Sequence, residues 1–345
     1  MKHQFDRRKF IGTATAALAI GLTGSFSSAF GKRSLHGGKI GIIGLDTSHS
    51  VAFTKSLNAS DIVPELKGYR VIAAYPKGSN DIKSSTSRIP GYIEDVKKLG
   101  VEIVNSIDEL LQKVDFVLLE TNDGRLHLEQ ALPVLKAGKR MFIDKPIAAS
   151  LSDAMAIYNA SEQFKTPVFT SSSLRFMESV QSVVEGKIGK VLGADTYSPA
   201  TLEKTHPDLF WYGIHGVEVL FTVMGTGCKN VIRVHTNDTD VVVGEWEDSR
   251  VGTFRGTRSG THDYGGTVYG EKGNLSLGPF HGYDSLLVRI IDFFETGNPP
   301  VTSKETLEIL AFMEAADESS KKAGARVSLE EMMKKARKKM DKKKV

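Results

Sequence analysis

The sequence predicts an α/β protein, with a doubly wound parallel sheet first and an α+β domain with a large, mostly antiparallel open sheet after it. Three observations predict this. From Lys39 to Asp144, short apolar runs alternate with helical patterns at the spacing of repeated β-α-β units. After Pro146 the alternation gives way to successive β-like runs punctuated by glycine. The chain has 345 residues, 40% apolar and 25% charged, an ordinary globular composition with length for two domains.

Residues 1–38 read as an export signal and linker rather than fold. Asp6-Arg7-Arg8-Lys9-Phe10-Ile11 precedes a mild apolar run, Thr13–Gly24, too short to span a bilayer, and the small residues Ser27-Ser28-Ala29 follow. Paired arginines before Phe10 resemble the twin-arginine signal, with a general secretory signal or a retained anchor as alternatives. The expectation is a periplasmic or otherwise exported protein whose precursor meets the twin-arginine machinery. No transmembrane span is expected in the mature chain. Cys228 is the only cysteine, so no intramolecular disulfide and no Cys-based metal site can form. The net charge of +4 comes from two basic ends, and the body between them is acidic. That distribution argues against a nucleic-acid platform.

The first domain is expected over residues 39–146. Ile40–Ile43 is an apolar strand run ending at Gly44, and Val51-Ala52-Phe53 can begin a helix. Strand, tight turn and helix start are the parts of a dinucleotide-binding βα unit, whose fingerprint is G-x-G-x-x-G. The window here is Gly44-Leu45-Asp46-Thr47-Ser48-His49, which keeps only the first glycine. Its other reading is a buried strand followed by an ordinary Asp/Thr/Ser helix cap. Further strands are expected at Arg70–Tyr75, Val101–Asn105, Phe116–Glu120 and Arg140–Asp144, and helices at Ile107–Lys113 and Leu126–Ala137. Lys77–Tyr92 reads as a long polar loop, either functional or a surface insertion.

The second domain is expected over residues 147–330. A helix (Ser152–Phe164), a strand (Pro167–Ser172) and a helix (Phe176–Glu185) precede an antiparallel meander. Its runs are Val231–Thr236, Asp240–Glu247, Arg250–Gly256, Gly265–Gly270 and Asn274–Leu277. Helices return at Tyr283–Glu295 and Lys304–Ala323. Residues 331–345 read as a basic tail whose lysine-rich end, Lys334–Lys344, is a solvated, fraying helix end, with contact to acidic lipid or partner surfaces as the alternative.

Two stretches can carry chemistry. Phe142-Ile143-Asp144-Lys145-Pro146 ends a strand where open α/β sheets place ligands, and a desolvated lysine can exchange a proton with a hydroxyl. His215 and Glu218 share one helix face, a plausible acid/base with its carboxylate or a structural pair. His206, Asp208 and Tyr212 lie just upstream. A metal held by His206, Asp208, His215 and Glu218 is conceivable, but no tight zinc spacing supports it, and no metal is expected.

Taken together, these motifs resemble the Gfo/Idh/MocA family from Lys39 to about Leu329. The pattern comprises Asn122, His127, Ala137-Gly138-Lys139, Asp144-Lys145-Pro146, Arg175-Phe176, Gly186-Lys187-Ile188-Gly189-Lys190-Val191 and the run from Trp211 to Glu218. The resemblance implies a Rossmann domain, a second sheet that often forms a homo-oligomer interface, and hydride transfer between NAD or NADP and a sugar, glycoside or cyclitol. It makes Lys145 and His215 catalytic, with Lys145 also touching the cofactor. Arg175, His206, Trp211, Tyr212 and Glu218 become candidate substrate contacts. Gly44, Asp46, Thr47, Ser48, His49, Tyr75, Lys77, Asn122 and His127 become candidate cofactor contacts. The chain departs from the pattern at two fingerprint glycines, at Trp211 where the family has Asp, and at Tyr75-Pro76-Lys77 where an acid commonly holds the ribose. Lys77 and Ser79 could accept a 2′-phosphate, so NADP stays open. Asp46 and Trp211 also support the alternative of a non-redox member, a carbohydrate lyase or carbohydrate-binding protein.

Overall fold

The computed structural model describes residues 37–261 and 263–342. The segment expected as an export signal and the last three residues of the basic tail lie outside them. The first sheet holds β1 (Lys39–Ile43), β2 (Arg70–Tyr75), β3 (Glu102–Ile103), β4 (Phe116–Leu119), β5 (Met141–Ile143) and β6 (Val168–Thr170), all parallel, in the order 3-2-1-4-5-6. Its crossovers carry α1 (Ser48–Asn58), α2 (Lys83–Lys98), α3 (Ile107–Leu111), α4 (His127–Lys136) and α5 (Leu151–Gln163). Strand alternation divides the apolar side chains between two cores. Ile40, Ile42, Leu118 and Phe142 face one, while Ile43, Val117, Leu119, Met141 and Ile143 face the other.

The second unit begins with α6 (Glu178–Val184), β7 (Val191–Pro199), α7 (Asp208–Trp211) and α8 (Ile214–Met224). It continues through β8 (Cys228–His235), β9 (Thr239–Trp246), β10 (Val251–Thr257), β11 (Gly265–Gly270) and β12 (Gly273–Leu277). Then come α9 (Asp284–Thr296), α10 (Ser303–Lys321), β13 (Val327–Ser328) and α11 (Leu329–Met340). The sheet order is β12-β11-β7-β10-β9-β8-β13, antiparallel except for the β7–β10 pair. Helices α8 and α10 cover one face.

Four expectations change. The stretch expected as a long loop, Lys77–Tyr92, is mostly α2, because its Ser/Thr-rich first turns are solvated and need no apolar period, and Pro90 is accommodated inside the helix. The domain boundary expected at Pro146 falls inside the first unit, since β6 completes the parallel sheet. Strand β7, unexpected from the sequence, splits the meander between β10 and β11. The basic end, expected as a solvated helix end, is helical as far as Met340 but not wholly solvated: Leu329, Met332 and Ala336 of α11 are buried, with α11 packed on α5. Helix α9 also crosses back, seating Phe293 on Phe169 and Phe294 on Phe116 with ring centroids 4.9 and 4.8 Å apart.

Candidate active site

The carboxyl ends of β1, β4 and β5 are drawn together by backbone bonds. Glu120 N–H donates to Ile43 O (2.7 Å), and Asp144 N–H donates to Leu119 O (2.8 Å). Strand order reverses between β1 and β4, the position where open α/β sheets bind ligands. A cleft of about 170 Å³ lies there. Thr47, Ser48, His49, Arg88, Asn122 and Lys145 line it from the first unit, and Ser173, Leu174, Tyr212, His215, Tyr264, Phe280 and Tyr283 complete it.

The turn after β1 is tightly built. Gly44 has φ +87°, and a Cβ there would meet Thr121 N at 2.5 Å, so glycine is required. Helix α1 has no side-chain cap and no acid in its first turn, which leaves its N–H groups open to an anion. Arg88 of α2 reaches the same cleft. These residues fit a dinucleotide pyrophosphate. Asp46 does not point at it. The Asp46 carboxylate is fully buried and accepts from Asn122 N–H (2.9 Å), Ser79 N–H (3.3 Å) and the Ser85 hydroxyl. A Cβ on Gly78 would lie 1.9 Å from it, so the loop after β2 closes directly over this carboxylate. Burial raises the Asp46 pKa, and its hydrogen bonds oppose the rise.

Lys145 and His215 meet on the cleft from opposite units. Burial alone would lower the Lys145 pKa, but Asp144, whose Oδ2 lies 3.2 Å from Nζ, and Glu120 outweigh it and raise the value. The expectation that burial would make Lys145 a proton shuttle is therefore corrected: it stays an ammonium. His215 goes the other way. Burial, then the Lys145 charge, hold its pKa well below 6.5, so the imidazole is neutral. Its Nδ1 is 2.7 Å from Ser172 Oγ, which leaves Nε2 free. Ser172, rather than Glu218, orients the ring.

Glu218 lies behind it. It accepts from Ser171 Oγ (2.6 Å), Ser172 N–H (2.8 Å) and Arg175 Nε (2.9 Å), and Arg175 also pairs with Glu305 at 2.7 Å. Both are positioning residues, outside the cleft lining. His206 is buried 3.3 Å from Asp123 and packs on Trp211, and neither lines the cleft. His127 clamps two backbone carbonyls, Thr121 O (2.7 Å) and Ile147 O (3.1 Å), so its ring is occupied structurally. Tyr75 ends β2, with its carbonyl accepting from Gly44 N–H (2.8 Å), and Lys77 follows it; neither lines the cleft, and the Ser79 hydroxyl donates to Asp81 (2.9 Å). The conceivable metal quartet is dispersed, with Asp208 paired to Arg233 at 2.9 Å. Sequence reasoning missed Arg88, Tyr264, Phe280, Tyr283 and the run Ser171–Ser173. Arg88 lies within Lys77–Tyr92, the stretch read as functional or a surface insertion, and the serine run carried its place at the carboxyl end of a parallel strand.

Residues 39–171 match the GFO/IDH/MocA family, described as an oxidoreductase family with an NAD-binding Rossmann fold. The Rossmann domain belongs to that family. An uncharacterized oxidoreductase of Streptococcus pneumoniae is 29% identical over 121 residues, covering 33% of this chain and 32% of that protein. A 1,5-anhydro-D-fructose reductase from Ensifer adhaerens is 31% identical over 142 residues, covering 39% of this chain and 40% of the reductase. The chain thus spans well under half the length of these curated relatives. Among solved structures, a probable dehydrogenase from Thermotoga maritima superposes with TM-score 0.70 at 21% identity, covering 85% of this chain and 99% of that one. A scyllo-inositol dehydrogenase from Lactobacillus casei, solved with bound NAD(H) and scyllo-inositol, gives TM-score 0.69 at 19% identity over 85% and 99%. These likenesses establish the fold of both domains.

Proposed function

We propose that the protein is an oxidoreductase moving a hydride between NAD or NADP and a hydroxyl-bearing carbon of a sugar, glycoside or cyclitol. The observation that carries this reading is the convergence of Lys145 and His215 on one cleft with the open N-terminus of α1. A bound nicotinamide ring supplies the hydride acceptor or donor. Neutral His215, oriented by Ser172, takes the proton of the hydroxyl being oxidised at Nε2 and returns it in the reverse direction. The Lys145 ammonium donates a hydrogen bond to that oxygen and stabilises its developing negative charge. Thr47–His49 N–H groups and Arg88 would hold the phosphates, and Tyr212, Tyr264 and Phe280 offer rings for packing against a sugar. The names of the anhydrofructose reductase and scyllo-inositol dehydrogenase support the carbohydrate class. The support for a non-redox role weakens, because Asp46 is turned into the protein and Trp211 lies outside the cleft.

The outer face of the second sheet is uncovered and exposes Tyr197, Val251 and Tyr269 on one side. We read it as a self-association surface. Arg7, Arg8 and Phe10 support export by the twin-arginine route. The decisive experiment for the redox reading is mass spectrometry of small molecules released from freshly purified folded protein, followed by single-turnover assays on a sugar and cyclitol panel. Copurifying NAD(H) or NADP(H), or binding of either by emptied protein, is expected. No binding of either at millimolar concentration overturns the reading.

A further inference from the structure

We propose that His49, Glu120 and Asp144 form a site for one divalent transition-metal ion beneath the cleft floor. They arrive from three elements, the start of α1 and the carboxyl ends of β4 and β5. His49 occupies the third glycine position of the fingerprint and turns its imidazole inward, between Phe53 (ring centroids 5.5 Å apart) and Tyr283 (4.5 Å). That packing aims Nδ1 at the two carboxylates. Nδ1 lies 3.0 Å from Asp144 Oδ1 and 3.8 Å from Glu120 Oε2, and one donor atom from each residue falls within 4.8 Å of the others. A cation with ligands at about 2.1 Å sets neighbouring donors roughly 3.0–3.4 Å apart, so this triangle is near the size of a coordination face.

Glu120 is the independent observation. Its side chain is 0% exposed, and neither carboxylate oxygen receives a hydrogen bond. Proteins pair buried carboxylates with donors or metals, and an unpaired one in the interior calls for a missing partner. Lys145 Nζ donates to Asp144 Oδ2 (3.2 Å) and makes no hydrogen bond to Glu120, while Asp144 Oδ1 accepts from the Lys145 backbone N–H (2.9 Å) and faces His49 Nδ1 at 3.0 Å. One ammonium thus faces two buried carboxylates. One imidazole with two carboxylates suits manganese, iron(II) or zinc better than calcium, which favours more oxygens. His49 and Lys145 both line the cleft, so the ion lies directly beneath it and ties the phosphate-facing turn to the strand that bears Lys145. This site stands apart from the quartet considered from the sequence, and it is independent of the redox reading.

The test uses full-length protein stripped with EDTA, dialysed, and titrated with manganese(II) chloride while free Mn²⁺ is read by EPR; zinc is followed by equilibrium dialysis and elemental analysis. One ion per chain and a raised melting temperature are expected. Glu120→Gln and His49→Asn, which keep approximate shape, should each weaken binding at least about tenfold. Far-UV circular dichroism verifies folding. Should a variant fail to fold, paramagnetic broadening of the wild-type His49 ring protons by Mn²⁺ supports the site, and their remaining sharp at saturation overturns it. No binding of either metal at millimolar concentration, or wild-type binding by both variants, also overturns it. Each readout is separate from hydride transfer, so failure of one proposal leaves the other standing.

Discussion

Burial drives the His215 imidazole towards its neutral form, and the nearby Lys145 ammonium pushes the same way. The groups around it are Ser172, Tyr212, Tyr264, Lys145 and His49, with Asp144 opposing the shift. In the oxidation direction a base must be unprotonated, so the acid limb of the kcat/KM profile should lie below pH 6.5, and a limb above that value contradicts the assignment. A positioned acid/base contributes about 10²–10⁴-fold in rate, and His215→Ala and Lys145→Ala should each lose turnover on that scale in single-turnover assays. Because both act on one oxygen, the double variant should lose far less than the product of the single effects. Ser172→Ala should slow turnover by less than His215→Ala while leaving cofactor affinity unchanged. Asp46 predicts a stability effect instead. Asp46→Ala leaves donors of Ser79, Ser85 and Asn122 unpaired and should cost about 2–3 kcal/mol in urea denaturation, with weaker cofactor binding as the turn loosens. A variant as stable as wild type would show that the carboxylate is dispensable.

Helix α11 gives a prediction at the scale of an element. Its first turns bury Leu329, Met332 and Ala336, while Lys342 beyond its end is exposed. Leu329→Ala should cost about 2–5 kcal/mol, whereas removal of residues 342–345 should leave the melting curve unchanged. Equal effects would mean that α11 does not hold α5 in place. Helix α9 makes a parallel case, since Phe293 is buried against Phe169 of the first sheet although 124 positions separate them in the chain. The pattern of α9 was legible, because Leu286, Leu287, Ile290, Ile291, Phe293 and Phe294 share one helix face. Its docking partner was not, because periodicity reports that a face is apolar and says nothing of what covers it. Helix α2 was missed for the opposite reason. Its polar first turns lack any apolar repeat.

At the scale of the molecule, the proposed hydride transfer requires both sheets to supply one cleft, with Lys145 lining it from one side and His215 from the other. Export gives a separate whole-chain prediction. Replacing Arg7 and Arg8 with lysine should leave the precursor in the cytoplasm by fractionation and immunoblotting, and undiminished export of that variant would refute the twin-arginine route.

The sequence by itself determined the parallel sheet, the fingerprint turn at Gly44, the strand end bearing Lys145 and the helix bearing His215. Each is a local pattern of apolar period, glycine and turn chemistry, written within about twenty residues. Tertiary structure alone decided which candidates share the cleft. It turned Asp46 inward to Ser79 and Ser85, locked His127 between two carbonyls, and put His206 against Asp123, with Trp211 packed on it, outside the site. It also brought His49 to Glu120 and Asp144, although 95 positions separate His49 from Asp144. The physical reason is that burial, partners and charge environment belong to neighbours in space. A carboxylate reads the same in any sequence, and only its surroundings decide whether it is a ligand, a hinge pin or a counter-ion.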